Sequence, residues 1–252
     1  MPKDSFITRG VRFALLFGPP EVWDRGTASD VHSRICDSLS MDDIAFKYTP
    51  PKQNKQDEKD TFMTEMTRVS ENPNEGDLSI VIDNTQPQPG AALRLVIANK
   101  SPRSPRHAKQ NADNIATAVL QSNDYEVVLV ETRLRAECSV NADDANEYIE
   151  DKLYNLSEDF MGEFSPQEFL SINIESGKGD GQEPERELTL ETLRENEKKL
   201  YIEYVSKWSG PHSTNLVPFD ADDPSVYIQN SYDFLKSTLS KLPDITEEED
   251  QI

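Results

Sequence analysis

Cysteine is nearly absent from this chain: Cys36 and Cys138 are the only two in 252 residues. A disulfide framework needs more, so both thiols are expected reduced in a cytoplasmic protein. Histidine is almost as scarce. His32, His107 and His212 share no metal-ligand spacing, and neither CxxC nor HExxH occurs, so no metal site and no cofactor is expected. Long apolar runs are missing too. None approaches the roughly 20 residues that span a bilayer, and Phe13 to Phe17 is too short for a signal-peptide core of about 7–15 residues. A soluble protein without membrane contact is expected.

Positive charge is scarce in one half only. Residues 1–121 carry 15 Lys and Arg against 16 Asp and Glu, and residues 122–252 carry 11 against 31. Almost all of the net charge of −21 therefore belongs to the second half. Nucleic-acid binding through that half is disfavoured, because it rests on neutralising phosphates with Lys and Arg.

What is present is a pattern that recurs. "VRFALLF" (11–17) alternates Val11, Phe13, Leu15 and Phe17 on one face, as a strand does. "ASDVHSRICDSL" (28–39) repeats Val31, Ile35 and Leu39 at helical spacing behind a cap at Ser29 or Asp30. An offset of 114 residues brings a second strand, "YEVVLVE" (125–131), and a second helix, "ADDANEYIEDKL" (142–153). "DLSIVI" (77–82) matches "ELTLET" (187–192). "ALRLVIANKS" (92–101) matches "KLYIEYVSKW" (199–208), with Leu93, Leu95 and Ile97 on Leu200, Ile202 and Tyr204. Two further strands are placed near 61–69 and 168–175. Ser104–Pro105 and Asp223–Pro224 open two matching helices at an offset of 119, because proline suits the first helical position.

The expected fold is therefore α+β: two β-α-β-β-β-α units, residues 1–121 and 122–242, followed by a disordered acidic tail, 243–252. The units should share one largely antiparallel sheet with the helices on one face and a pseudo-two-fold axis between them. That order is similar to the saddle of the TATA-box-binding protein. The likeness is one of topology with no shared motif, so DNA binding is not carried over. Fused ferredoxin-like duplicates are competing arrangements. The open sheet face should carry Arg12, Ala14, Leu16, Arg94, Val96 and Ala98 from the first half. From the second it should carry Glu126, Val128, Val130, Tyr201, Glu203 and Val205.

Catalytic motifs are missing. "GKGDG" (177–181) lacks the Gly-Lys-Ser/Thr end of a phosphate loop, and "DADD" (220–223) lacks the glutamate of a calcium loop. Cys36 lies mid-helix, where nothing lowers its pKa. One constellation points to binding. Arg12 and Arg94, on neighbouring strands, would clamp a carboxylate or phosphate on the open face, with Glu126 and Tyr201 as their second-half counterparts. The bland alternative pairs Arg12 with Glu126 across the axis. The preferred function is a non-enzymatic protein-interaction module whose acidic half receives a basic protein. The alternatives are a small-molecule (anion) binding protein or enzyme with a site near the axis, and a homodimer joined by sheet faces or edges.

Overall fold

β1 (Ile7–Gly18) buries Val11, Phe13, Leu15 and Phe17 against the helices, as the alternation requires. The computed structural model describes residues 6–18, 23–50, 62–69, 76–84, 93–100, 105–120, 126–154, 171–176, 183–193, 198–210, 217, 219, 223–242 and 245–246. "GKGDG", His212 and most of "DADD" lie outside them.

After β1 come α1 (Arg25–Leu39), β2 (Ala45–Thr49), β3 (Met63–Arg68), β4 (Asp77–Asp83), β5 (Leu93–Lys100) and α2 (Pro105–Leu120). The second half runs β6 (Glu126–Val140), α3 (Ala145–Tyr148) continuing as a π-helical stretch Ile149–Tyr154, β7 (Ser171–Glu175), β8 (Glu185–Thr192), β9 (Lys199–Ser209) and α4 (Val226–Leu239). The strands form one open antiparallel sheet in the order β2-β3-β4-β5-β1-β6-β9-β8-β7. β10 (Ile245–Thr246), in the segment expected to be disordered, pairs with Val140 and Ser139 of β6. The helices contribute Val31, Ile35, Ala112, Ile115, Ile228 and Leu235 to a single core with the inward strand residues, so they cover one sheet face. Leu93, Leu95 and Ile97, and equally Leu200, Ile202 and Tyr204, belong to that core.

Several boundaries differ from the sequence reading, each for a local reason. α1 begins at Arg25 because Asp24, in extended backbone, accepts the Thr27 N–H at 2.8 Å. Ser29, the expected cap, sits inside the helix, where its carbonyl accepts from the Ser33 hydroxyl. α4 is also capped differently. The Ser225 N–H is accepted by Asp113 of α2 at 2.7 Å, while the Ser225 hydroxyl donates to Asp223. β2, which the sequence reading did not place, pairs along its whole length with β3. β6 runs on to Val140, alternating buried Thr132, Leu134, Ala136 and Cys138 with outward Arg133, Arg135 and Glu137.

Two bulges decide which side chains face where. In the β1–β6 ladder, Arg9 stands between Thr8 and Gly10 as an extra residue on β1, and Val128 is the extra residue on β6. The Val128 bulge moves Val130 to the core side, where it is fully buried, not to the open face as its parity suggested. It also sets the expected offset of 114 at odds with the burial pattern. β1 buries odd positions and β6, beyond its bulge, buries even ones, so an even offset lays buried residues on exposed ones.

Candidate interaction surface

The sheet face opposite the helices is charged rather than apolar at its exposed positions. Ala14, Leu16, Val96 and Val205 point to that face but are buried, Val96 being the most exposed at 9%. Long charged side chains stand over them. On β1 and β6, Arg12 Nη1 donates to Glu131 Oε1 at 2.5 Å. Arg133 Nη2 lies 4.0 Å from the same carboxylate, and its Nη1 lies 3.3 Å from Glu203 Oε1 of β9. Glu203 Oε2 accepts from Arg135 Nε at 2.7 Å and from the Tyr201 hydroxyl at 3.2 Å. At the β1 bulge, Arg9 Nη2 donates to Glu137 at 2.9 Å. The centre of the face is thus a run of alternating charges.

Titration follows this geometry. Burial pushes the Glu203 carboxyl up, but the hydrogen bond from Arg135, the charges of Arg133 and Arg135 and the Tyr201 hydroxyl outweigh it and hold it low. Burial and the Glu203 charge raise Tyr201, so its phenol keeps its proton. The hydrogen bond to Glu203 raises Arg135. All three groups hold the forms that bond to one another.

The residues singled out from the sequence are dispersed over this face. Arg12 stands opposite Ala98 of β5, and Arg94 stands opposite Leu16 of β1. Four residues of strand separate the two positions, roughly 13 Å. Each guanidinium has its own carboxylate: Arg12 holds Glu131, and Arg94 Nη2 donates to Asp83 at 2.7 Å. They form no shared clamp. Glu126 is exposed at the start of β6, opposite Gly18 rather than near Arg12. Tyr201 lies between Glu137 and Glu191 in register and donates to Glu203. The sequence reading missed Glu131, Arg133 and Arg135, whose signal is the alternation in "ETRLRAEC".

The outer second-half strands differ from the centre. Glu185, Glu187 and Glu191 of β8 and Glu175 of β7 also face the open side, and among the described residues none of them makes an ion pair. Glu187 accepts from the Asn173 amide and Glu191 from the Ser171 hydroxyl, both at 3.3 Å. A shallow cleft of about 170 Å³ lies here, lined by Glu175, Glu185, Glu187, Val205 and Lys207 among others.

No nucleophile with a base is found among the described groups. His32 Nε2 lies 2.9 Å from the Ile44 carbonyl, which takes its proton, so that nitrogen cannot deprotonate Cys36 at 3.4 Å. Burial raises the Cys36 thiol, and Asp42, Asp37 and Asp43 raise it further. Among the described residues no group of His, Cys, Asp and Glu is placed to hold a metal ion, and no helix is long and apolar enough to cross a membrane.

No family model and no curated protein matches the chain. The solved structure of a rolling circle replication initiator protein from Geobacillus stearothermophilus aligns with 98% of this chain and 89% of its own, at 8% identity and a TM-score of 0.30. A score that low establishes no common fold.

Proposed function

We propose that the chain is a non-enzymatic protein-interaction module whose second half receives a basic partner. The observation that carries this reading is an imbalance of pairing. Arg9, Arg12, Arg94, Arg133 and Arg135 each hold a carboxylate, whereas Glu175, Glu185, Glu187 and Glu191 hold no cation among the described residues. Carboxylates left unneutralised on one flank, in the half with 31 acidic and 11 basic residues, attract and orient a cationic surface. Arg12 and Arg94, apart and already engaged, give the anion-binding alternative no comparable support.

We also infer that the two halves descend from one β-α-β-β-β-α unit, resembling the TATA-box-binding protein saddle, to which the first half adds β2 as a fourth strand between its helices. Three observations support an offset near 119 rather than 114. The bulged residues Arg9 and Val128 differ by 119, and the ladder between them centres on Phe13 opposite Thr132, which also differ by 119. A two-fold rotation through that centre carries the ladder onto itself. Asp24 and Asp144, 120 apart, cap the first helix of each half in the same way, accepting from Thr27 and Glu147 N–H. Pro105 and Pro224, 119 apart, open α2 and the turn before α4. At this offset Arg12 corresponds to Glu131, so the pairing expected across the axis with Glu126 falls to Glu131.

The test is titration of a soluble Lys-Ala random-coil peptide into the protein at low and high salt. It is compared with a variant carrying Glu175→Gln, Glu185→Gln, Glu187→Gln and Glu191→Gln. Salt-sensitive binding that the variant loses by roughly tenfold or more is expected. Equal affinity in both proteins would remove the reading.

A further inference from the structure

The two ends of the sheet are unequal, and the inequality identifies what docks at one of them. Paired residues step outward from Phe13 through Ile97 and Ile80 to Met66. From Thr132 they step through Ser206 and Arg186 to Ser176, whose N–H donates to the Arg186 carbonyl at 2.8 Å. Under the proposed duplication Met66 therefore corresponds to Ser176, and β3 to β7. Their neighbours Glu65 and Glu175 correspond as well, and both face the open side.

Glu65 has a cation, and Glu175 has none among the described residues. β2 lies outside β3 and supplies Lys47, whose Nζ donates to Glu65 at 2.9 Å. β2 also turns Phe46 towards the helices, against His32 at 5.0 Å between ring centroids, and packs Phe46 and Tyr48 on the core. β7 ends the sheet order, with no strand outside it among the described residues. The Ser176–Arg186 bond makes Ile174–Leu188 and Ile172–Leu190 the hydrogen-bonded pairs of this antiparallel ladder. The backbone N–H and C=O of Asn173 and Glu175 therefore point outward. Beside them Ile174 is 55% exposed on the helix side, and Phe234 of α4, 38% exposed, carries the Arg186 guanidinium of the neighbouring β8 4.4 Å from its ring centroid. Exposed apolar side chains beside outward backbone groups make an edge that accepts another strand.

We propose that β7 takes up an extended segment of a partner protein in which basic and apolar residues alternate, seated as β2 is seated on β3. Its Lys or Arg side chains meet Glu175, Glu187 and Glu191 on the open face. Its apolar side chains cover Ile174 and Phe234 on the other. Residues 155–170, at the sequence place of β2, contain Asp and Glu but no Lys or Arg, so they bring no cation to Glu175. The proposal deepens the acidic-flank reading and rests on it for the sign of the partner.

The probe is a capped peptide of alternating Lys and Val, about nine residues long, followed by fluorescence anisotropy with the intact protein. Asn173→Pro removes an outward N–H and leaves every carboxylate in place; proline is tolerated on sheet edges. A second probe keeps the protein unaltered: the same peptide N-methylated at alternate residues, which cannot pair as a strand. Both changes are expected to weaken binding roughly tenfold or more, and Glu175→Gln to weaken it by a smaller factor. If the proline variant and the methylated peptide both bind as the originals do, strand addition is overturned while the acidic flank stands. If instead the Gln variants bind as wild type does, the flank reading itself fails. Hydrogen exchange on the free protein decides the other occupants. Protected Asn173 and Glu175 amides in the monomer, or amides protected only in a dimer seen by sedimentation, would show the edge already filled by this chain and overturn the proposal.

Discussion

Beneath the sheet, the two halves build the same three positions from opposite chemistry. At the offsets that the proposed duplication implies, Phe13, Ile97 and Ala112 correspond to Thr132, Ser206 and Ser231. All six are buried, none beyond 1% exposed. In the first half the trio is hydrocarbon. In the second it is three hydroxyls in mutual contact: Thr132 to Ser206 at 2.7 Å, Ser206 to Ser231 at 2.7 Å, and Thr132 to Ser231. Ser231 donates to the Tyr227 carbonyl at 2.8 Å, so the protons shared within the trio are those of Thr132 and Ser206. One half holds its centre by filling volume, and the other by satisfying polar groups in a fixed arrangement.

That contrast sets the largest expected effects. Phe13→Ala leaves a cavity at the middle of the sheet and is expected to cost about 3–5 kcal/mol. Thr132→Val keeps its shape, and Ser206 and Ser231 retain each other, so a loss of about 1–2 kcal/mol is expected. Urea denaturation of both variants measures the pair. Equal losses would break the comparison. The hydroxyls should also be non-additive. Replacing all three together, with Thr132→Val, Ser206→Ala and Ser231→Ala, strands no member of the trio and should cost less than the single losses summed. A summed or greater loss would mean that the hydroxyls act independently.

The next contrast lies on the open face, where Arg12 and Glu131 occupy corresponding positions with opposite charge and bond to each other. Each alone is expected to lose about 1 kcal/mol on substitution by Ala, as a partly exposed pair does. The exchange Arg12→Glu with Glu131→Arg puts each residue in the other's place about the same centre. Under the duplication reading it should recover most of the loss. An exchange no better than the single charge reversals would show that the two environments differ more than the two-fold allows. The exchange does not touch β7, so it leaves the docking proposal untouched.

Much of the frame was legible because period-two alternation survives wherever a strand has one wet face. Leu93, Leu95 and Ile97, and equally Leu200, Ile202 and Tyr204, needed no more than that, although the register about Phe13 and Thr132 sets Ile97 against Ser206 and not Tyr204. Pro105 marked a helix start because its missing N–H costs nothing in the first turn. The failures have one origin each. A bulge reverses parity without a sequence signature, so Val128 sent Val130 to the wrong face. "TRLRAEC" carries its strand signal in Thr132, Leu134, Ala136 and Cys138 alternating with charged residues, and its one large apolar residue left β6 read too short. Asp113 caps α4 from another helix, which no local pattern reveals. For the candidate surface, the chemistry of Arg12 was legible but not its partner. With an offset of 114 it pointed to Glu126, and with 119 it points to Glu131. Arg94 reads as a free cation until the β4–β5 register sets Asp83 opposite it.

The smallest expected effect contrasts two carboxylates, one in each half, that titrate with opposite sign. Glu203 is held low, so its ionised form is favoured on folding. Its contribution is present above the ordinary carboxylate range and is lost as pH falls through its depressed pKa. Asp113 goes the other way. Burial raises it, against the lowering hydrogen bond from the Ser225 backbone, and the charge of Asp223 adds to the rise. Its contribution is whole below the unfolded carboxylate pKa and declines as pH rises towards its raised one. Glu203→Gln should therefore be less stable than wild type near neutrality, with the gap closing in acid. Asp113→Asn keeps an acceptor for the Ser225 N–H and sheds the buried charge. It should match or exceed wild type near neutrality and lose that margin in acid. Both differences should stay within about 0.5–1 kcal/mol, since both groups are partly open to solvent. Thermal melts of the two variants between pH 3 and 8 should diverge in opposite directions from the wild-type curve. If they bend the same way, one cap-bound and one arginine-bound carboxylate are not in the opposed environments that separate the two halves.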